Sequence, residues 1–253
     1  RSVLRENGFV GIDGVAVALA ESSLAVENSV LWNSPSAISG RGALAVTNSV
    51  LDANGPDGRI YRFTIGGLGD FRGDYNCYSR KDGALIAEED KLVGGNDFYN
   101  DLPLWSAASL SDRHSMTLPA ASVSNAFANA PGGDFHLRST HGRYANGAWT
   151  NDAVLSPLID AGDPEYAFDQ EPPPNGLRIN IGAFGNTPQA SMTQTNPPWV
   201  RAVSLNEGGV VSTNVLLYWA FAGVPDSALV RLEYSDNYMD SWKSIASNRS
   251  AGS

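Results

Sequence analysis

Cysteine is almost missing from this sequence, because Cys77 is the only one among 253 residues. A single cysteine excludes an intrachain disulfide, and with it a small secreted scaffold held together by disulfide bridges. The count leaves the cellular compartment open, since many exported proteins also lack disulfides. Long apolar runs are missing as well, and none approaches the roughly 18 residues of a membrane-spanning helix. We therefore expect no insertion into a membrane.

Basic residues are scarce too. Lys and Arg number 17 against 27 Asp and Glu, which gives a net charge of −10. A nucleic-acid partner needs clustered basic side chains to neutralise phosphates, so we expect no nucleic-acid binding. Charged residues make up 17% of the chain, below the share of about a quarter in typical globular domains. Together with 26 glycines, this balance favours many short strands joined by tight turns.

An internal repeat is the most informative feature of the sequence. Residues 24–31 (LAVENSVL) recur as residues 44–51 (LAVTNSVL), and seven of the eight positions are identical. The two copies begin 20 residues apart, and a period of about 20–50 residues indicates stacked structural repeats. Apolar residues alternate within each copy, as Leu24 and Val26 do, and this alternation is typical of a half-buried strand rather than a helix.

Asparagine marks the same position in each copy of the repeat. Asn28 and Asn48 separate two alternating runs, and asparagine tolerates the left-handed backbone of a tight turn. A looser copy places Asn76 at this position. We expect the three side chains to form a column in which each amide bonds to its neighbours. Further along, residues 101–108 predict a short helix with Asp101 as its N-cap.

These patterns predict an all-β fold in two parts. Residues 1–194 are expected to form the last coils and the cap of a right-handed parallel β-helix, a solenoid. Residues 195–253 are expected to form a partial β-sandwich of immunoglobulin-like type. The chain begins with Arg1 and no methionine, so we interpret it as a fragment or a processed product. Both parts would leave strand edges unpaired, which predicts self-association.

Four runs of sequence resemble the right-handed parallel β-helix proteins of the pectate-lyase-like superfamily. They are the two asparagine repeats, residues 104–115, residues 133–137, and residues 156–164 leading into residues 175–187. The tail at residues 230–246 is similar to immunoglobulin-like or fibronectin-type-III-like modules. The resemblance implies export to the cell surface or the extracellular space, and work on carbohydrate. It implies no mechanism, because this superfamily contains lyases, hydrolases, adhesins and non-catalytic proteins.

The function expected from this resemblance is binding or processing of an extracellular polysaccharide or cell-surface glycan. The alternative is a structural or adhesive surface protein without chemistry. The outward residues expected on the first sheet include a single base, Arg62, and no carboxylate, whereas a glycosidase needs two carboxylates. We assign no catalytic residue. If the parent protein is a polysaccharide lyase or glycoside hydrolase, its active site is expected upstream of Arg1.

Two residues are candidates for contact with a sugar. Arg62 is the base of the outward row, and Trp149 lies in a polar loop where an aromatic ring is expected to be exposed. Aromatic rings can stack on sugar rings, although packing in the core is the usual reason for an aromatic residue at an alternating position. Arg62 and Trp149 are therefore the predicted substrate-binding residues.

Carboxylates gather near the expected cap. Asp160, Asp163, Asp169 and Glu171 supply hard oxygen ligands, and Asp160 and Asp163 are the candidate ligands of a Ca²⁺ ion. Their spacing matches no calcium-loop pattern, and the alternative is that both accept hydrogen bonds from turn amides. No other cofactor is expected.

Overall fold

The structure is a computed structural model that describes residues 2–5, 8–10, 15–64, 70–91, 93–202, 217, 219–225, 227–234 and 241–250. The strands are β1 (Ser2–Arg5), β2 (Gly8–Val10), β3 (Val15–Glu27), β4 (Val30–Ser34), β5 (Ser36–Thr47), β6 (Val50–Ala53), β7 (Arg59–Phe63), β8 (Phe71–Asp74), β9 (Cys77–Arg80), β10 (Leu85–Asp90), β11 (Asn96–Tyr99), β12 (Met116–Thr117), β13 (Phe127–Asn129), β14 (Asp134–Leu137), β15 (Arg143–Ala145), β16 (Ala148–Thr150), β17 (Trp199–Ala202), β18 (Trp219–Ala222), β19 (Leu229–Tyr234) and β20 (Lys243–Ser250). The helices are α1 (Leu102–Ser109), α2 (Ala120–Ala126) and a 3-10 turn, Ala130–Gly132. None of these described helices is long and apolar enough to cross a membrane.

The larger sheet joins seven strands in the order β1-β3-β5-β7-β10-β11, with β8 beside the second half of β5. Its strand pairs are parallel except for β10 with β11. The two copies of the repeat lie side by side, because Leu24 pairs with Leu44 and Val26 pairs with Val46. All four of these side chains are buried. The repeat therefore keeps identical residues in register, so that they form continuous apolar rows on one face.

The smaller sheet has five strands in the order β12-β9-β6-β4-β2, and all of its pairs are parallel. Val30 pairs with Val50, and Val50 pairs with Cys77. These three side chains are fully buried. Because the repeat contributes one strand to each sheet, both sheets are built from the same stretch of chain.

Aromatic rings fill the core behind the larger sheet, and α1 supplies the central one. Trp105 is fully buried, and its ring centroid lies 4.9 Å from Phe71 and 5.7 Å from Phe63. The indole Nε1 donates a 2.8 Å hydrogen bond to Asp112. The side chain of Asp101 accepts a hydrogen bond from the backbone N–H of Leu104. This N-cap confirms the predicted helix.

The predicted asparagine column is correct for two of its three members. Asn28 and Asn48 have left-handed backbones, with φ of 44° and 52°. In the third copy the left-handed residue is Tyr75, with φ of 54°. Asn76 lies beside Ser49 instead, and its Oδ1 accepts a 3.0 Å hydrogen bond from the Ser49 N–H. The alignment of Asn76 with Asn48 was therefore wrong by one residue, because the tyrosine adopts the turn conformation expected of asparagine.

We call the left-handed residues of the three copies, Asn28, Asn48 and Tyr75, the turn column. A long irregular segment, residues 156–193, packs over this column, and we call it the strap. The Asn28 amide donates to the carbonyl oxygen of Gly185 at 3.3 Å. The Asn48 Oδ1 accepts from the N–H of Asp163 at 2.7 Å, and its backbone carbonyl accepts from Gly182 at 2.9 Å. The column thus bonds to the strap, whereas we had expected each amide to bond to the next. These bonds satisfy backbone groups of the strap at Asp163, Gly182 and Gly185, which helps a segment without regular structure to pack against the sheets.

The predicted fold class, an all-β right-handed parallel β-helix followed by a partial β-sandwich, is wrong. Among the described residues the sheets are small and mixed, since four of the six are two-stranded and antiparallel. No sheet closes on itself, no solenoid is recognised in this part of the chain, and two α-helices interrupt the strands. The physical reason is that the repeat occurs as two close copies only. Beyond these two copies, the apolar residues pack in helices, in hairpins and in the strap.

Among the described residues of the tail, two antiparallel strand pairs are found in place of the expected sandwich. β17 pairs with β18, and β19 pairs with β20, both antiparallel. Residues 203–216, which belong to the stretch expected to form this sandwich, lie outside the described residues. The boundary between residues 194 and 195, and self-association through strand edges, stay predictions.

Candidate functional site

An exposed tryptophan is held on a tight hairpin. Trp149 lies on β16, opposite Tyr144 on β15. The connecting residues Asn146 and Gly147 both have positive φ, 51° and 87°. This pair is the strongest sequence signal for a two-residue hairpin turn. Trp149 is 42% exposed, and its ring meets that of Tyr144 edge-on, with centroids 5.4 Å apart and planes at 71°.

The ring surface continues from Tyr144 to two further side chains. The His136 ring lies 6.3 Å from Tyr144 and stacks on Phe184 at 3.6 Å. We call His136, Tyr144, Trp149 and Phe184 the aromatic surface. The imidazole is fixed in place because its Nδ1 lies 2.7 Å from the Asp134 carboxylate. The surface therefore combines one exposed ring with three partly buried rings that support it.

An ion pair holds the base of this hairpin. The Arg143 guanidinium donates to both carboxylate oxygens of Asp152, at 2.9 and 3.1 Å. The Asp152 bond raises the pKa of Arg143. Asp152 also accepts a hydrogen bond from the Ser139 N–H at 3.0 Å. Both charged side chains are 15% exposed, so this pair fixes the hairpin and leaves the outer ring free.

Arg62 lies far from Trp149 in the chain, on β7, and the structure records no contact between them. Its Nη2 donates to the Asp57 carbonyl oxygen at 2.8 Å and lies 3.5 Å from Glu88. Glu88 is its direct neighbour on β10. We had expected no carboxylate among the outward residues of this sheet, and this expectation is wrong because Glu88 lies beside Arg62. The sequence did not predict that β10 pairs with β7.

Glu88 is the centre of a polar group around Arg62. Its carboxylate accepts from Arg59 Nε at 2.7 Å and from Asn96 Nδ2 at 2.6 Å. Burial acts to raise the pKa of Glu88, but hydrogen bonds from Asn96 and Arg59 and the charge of Arg62 lower it. Phe98 lies on β11, where it pairs with Glu88 of β10, and it is 53% exposed. We call Arg59, Arg62, Glu88, Asn96 and Phe98 the hairpin cluster.

The two candidate calcium ligands have separate roles in the strap. Asp160 is fully buried, and its carboxylate accepts hydrogen bonds from Thr193 Oγ1 at 2.7 and 2.8 Å. Asp163 accepts from the Glu165 N–H at 2.9 Å, and burial raises its pKa. No group of three or more His, Cys, Asp or Glu side chains in the described residues is arranged to hold a metal ion. Calcium binding at Asp160 and Asp163 stays a prediction.

Glu171 is a buried carboxyl group of the strap with a raised pKa. It is 3% exposed, and its Oε1 accepts from the N–H groups of Asn180 and Asn186 at 2.9 and 2.8 Å. Its Oε2 has no hydrogen-bond partner among the described residues. Burial raises the pKa of Glu171 to about 8, and the charge of Asp160 adds to the effect. Glu171, first considered as one of the clustered acids, is thus a buried structural group.

Sequence reasoning missed most members of both surfaces. The Asn146-Gly147 pair between short runs was a usable signal for the hairpin that presents Tyr144 and Trp149. Phe184 and Phe98 had no such signal, because only the folded chain brings them beside His136 and Glu88. Comparison with known protein families, with curated proteins and with solved structures finds no match for this chain.

Proposed function

We propose that this chain belongs to an exported protein that binds extracellular polysaccharide, and that the aromatic surface is where it binds. One observation carries the proposal: Trp149 is exposed and is braced edge-on by Tyr144. The apolar face of a sugar ring can stack on an exposed aromatic ring, while its hydroxyl groups find polar partners at the rim. Asp134 and Gln189, which flank His136, supply such partners.

The rigidity of the hairpin supports a binding role. Binding costs free energy whenever a flexible group must be ordered, and a preformed site avoids that cost. Here the Asn146-Gly147 turn sets the strand register, and the Arg143–Asp152 pair fixes the base. Aromatic side chains add contact area with few rotatable bonds. The exposed ring is therefore already oriented before a ligand arrives.

Binding is favoured over processing for the described residues. Glycoside hydrolysis needs one carboxyl group that stays protonated to act as a general acid, next to a second carboxylate. Glu88 is the carboxylate beside the predicted sugar-binding Arg62, and its donors lower its pKa. The buried Glu171 is protonated to higher pH, but it is closed off from solvent. We therefore propose a binding function for this part of the protein.

The test is retention of the protein in native gels that contain dissolved polysaccharides. Trp149→Ala is expected to lower the affinity by about tenfold or more, since buried aromatic anchors commonly contribute over about 1.4 kcal/mol. Trp242→Ala is the matched control, because Trp242 is also exposed (55%) and lies beside β20. Equal retention of Trp149→Ala and wild type would overturn the proposal. A wild-type chain that no polysaccharide retards would favour the structural or adhesive alternative.

A further inference from the structure

We propose that the hairpin cluster is a second carbohydrate-binding surface, so that one chain carries two separate sites for the same class of ligand. This inference rests on the proposed function. The two surfaces share no residue, and they lie on different sheets.

The first argument is the alignment of the cluster on one face of the larger sheet. Ser39 pairs with Arg62, Arg62 pairs with Glu88, and Glu88 pairs with Phe98. Directly paired residues point to the same face of a sheet. The row therefore crosses four strands and ends at an exposed aromatic ring.

The second argument is the support of the Phe98 ring. Its neighbour Tyr99 points the other way, and the Tyr99 ring packs edge-on against Trp105 of the core, with centroids 5.5 Å apart. The Arg59 guanidinium lies 5.8 Å from the centre of the Phe98 ring. A cation over one face leaves the opposite face for a ligand. Phe98 thus resembles Trp149 in being exposed and oriented by its neighbours.

The third argument is the chemistry beside this ring. Glu88 supplies carboxylate oxygens, while Arg62 and Asn96 present N–H donors. Asn96 Nδ2 donates to Glu88 at 2.6 Å, and the Arg62 guanidinium forms an ion pair with Glu88 at 3.5 Å. The Arg62 side chain is 38% exposed, so some of its five N–H donors remain accessible to solvent. Neighbouring hydroxyl groups of a sugar need such donors and acceptors in pairs. Fixed planar groups next to an exposed ring suit a sugar in a way that a solvated charge cluster does not.

Two sites on one chain have a consequence for polymeric ligands. A polysaccharide repeats its binding unit, so both sites can engage one polymer or link two of them. Linked binding can exceed the affinity of a single site by about 10²-fold or more without a new contact. Loss of either ring should then weaken binding to the polymer, while loss of both should abolish it.

The experiment compares wild type, Phe98→Ala, Trp149→Ala and the double variant in gels containing the polysaccharide that retards the wild type most. Each single variant is expected to show retention about 10²-fold weaker yet measurable, and the double variant is expected to migrate as in gels without polymer. Val93→Ala is the matched control, since Val93 is 89% exposed between β10 and β11 and lies outside the row. Asn96→Ala provides a second variant that keeps the ring.

The outcomes separate this inference from the proposed function. If Phe98→Ala and Asn96→Ala migrate like wild type while Trp149→Ala alone abolishes retention, the second site does not exist and the first one stands. If retention is lost in Phe98→Ala and retained in Trp149→Ala, the hairpin cluster is the single site and the first proposal fails. If wild type is not retarded by any polymer, both proposals fail. Circular dichroism of each variant excludes unfolding as the cause.

Discussion

Replacing Glu171 by glutamine should remove a pH dependence of stability that the buried carboxyl group creates. In the folded chain the pKa is about 8, against 4.5 for the free group. Between these values the native state holds a proton that the unfolded state has released. The free energy of unfolding therefore falls as the pH rises through this window. It is highest below 4.5 and levels off above about 8.

The size of the effect follows from the two pKa values. At about 1.4 kcal/mol per unit, the rise from 4.5 to about 8 sets a ceiling of ~5 kcal/mol. Local opening of the strap lets the carboxylate reach water at a lower cost, so the measured loss is expected to be about half of that ceiling. Glutamine cannot ionise, and its amide oxygen keeps the hydrogen bonds from the Asn180 and Asn186 N–H groups.

The assay is urea denaturation of wild type and Glu171→Gln at several pH values across this window. We expect the difference between the two unfolding free energies to change by about 2–3 kcal/mol, with the wild type losing more stability as the pH rises. Asp169→Asn is the control, because Asp169 is exposed and only two residues away. Identical pH profiles for wild type and Glu171→Gln would refute the reasoning, since the carboxyl group would then titrate as in water.

Two further substitutions test how the buried parts are held. Gly176→Ala should lower the melting temperature, because the backbone has a φ of 56° and an added Cβ would lie 2.3 Å from the Asp160 carboxylate. Gly147→Ala, whose added Cβ would lie in open space, should lower the melting temperature clearly less in the same thermal scan. Equal decreases in melting temperature would contradict the packing described for the strap. Asp112→Ala should lower the free energy of unfolding by at least about 3 kcal/mol, measured by tryptophan fluorescence in urea, because Tyr78 and Trp105 lose a shared buried acceptor at 2.7 and 2.8 Å. A loss below about 1 kcal/mol would show that these donors find other partners.

The local patterns in the sequence were good predictors of local structure. The repeat at residues 24–31 and 44–51 does pair in register, because alternating apolar residues fit only one arrangement of neighbouring strands. Asp101 does begin a helix, because an N-cap acts within one turn. Predictions that needed a long extension of these patterns failed. Two copies of a repeat did not predict the overall fold, and Asn76 was misplaced by one residue.

The candidate surfaces depend on contacts that no local pattern contains. Phe184 reaches His136 from the strap, and Glu88 reaches Arg62 from a strand that the repeat does not include. The sequence of the strap has no periodic apolar pattern. Hydrogen bonds to the turn column hold the strap in place instead. Trp149 could be predicted from the sequence because its own loop is polar. That Tyr144 lies beside it follows only from the pairing of the two strands.

The strap also sets the order in which the molecule can be completed. Asn28 and Asn48 bond to residues that follow them by 157 and 115 positions. During synthesis the two larger sheets leave the ribosome long before these partners do, and their turn amides remain in water until then. Contacts between such distant positions slow folding, because the intervening chain must first give up its freedom. Arrival of the strap is therefore expected to be a late step in folding, after which the turn column is shielded from solvent.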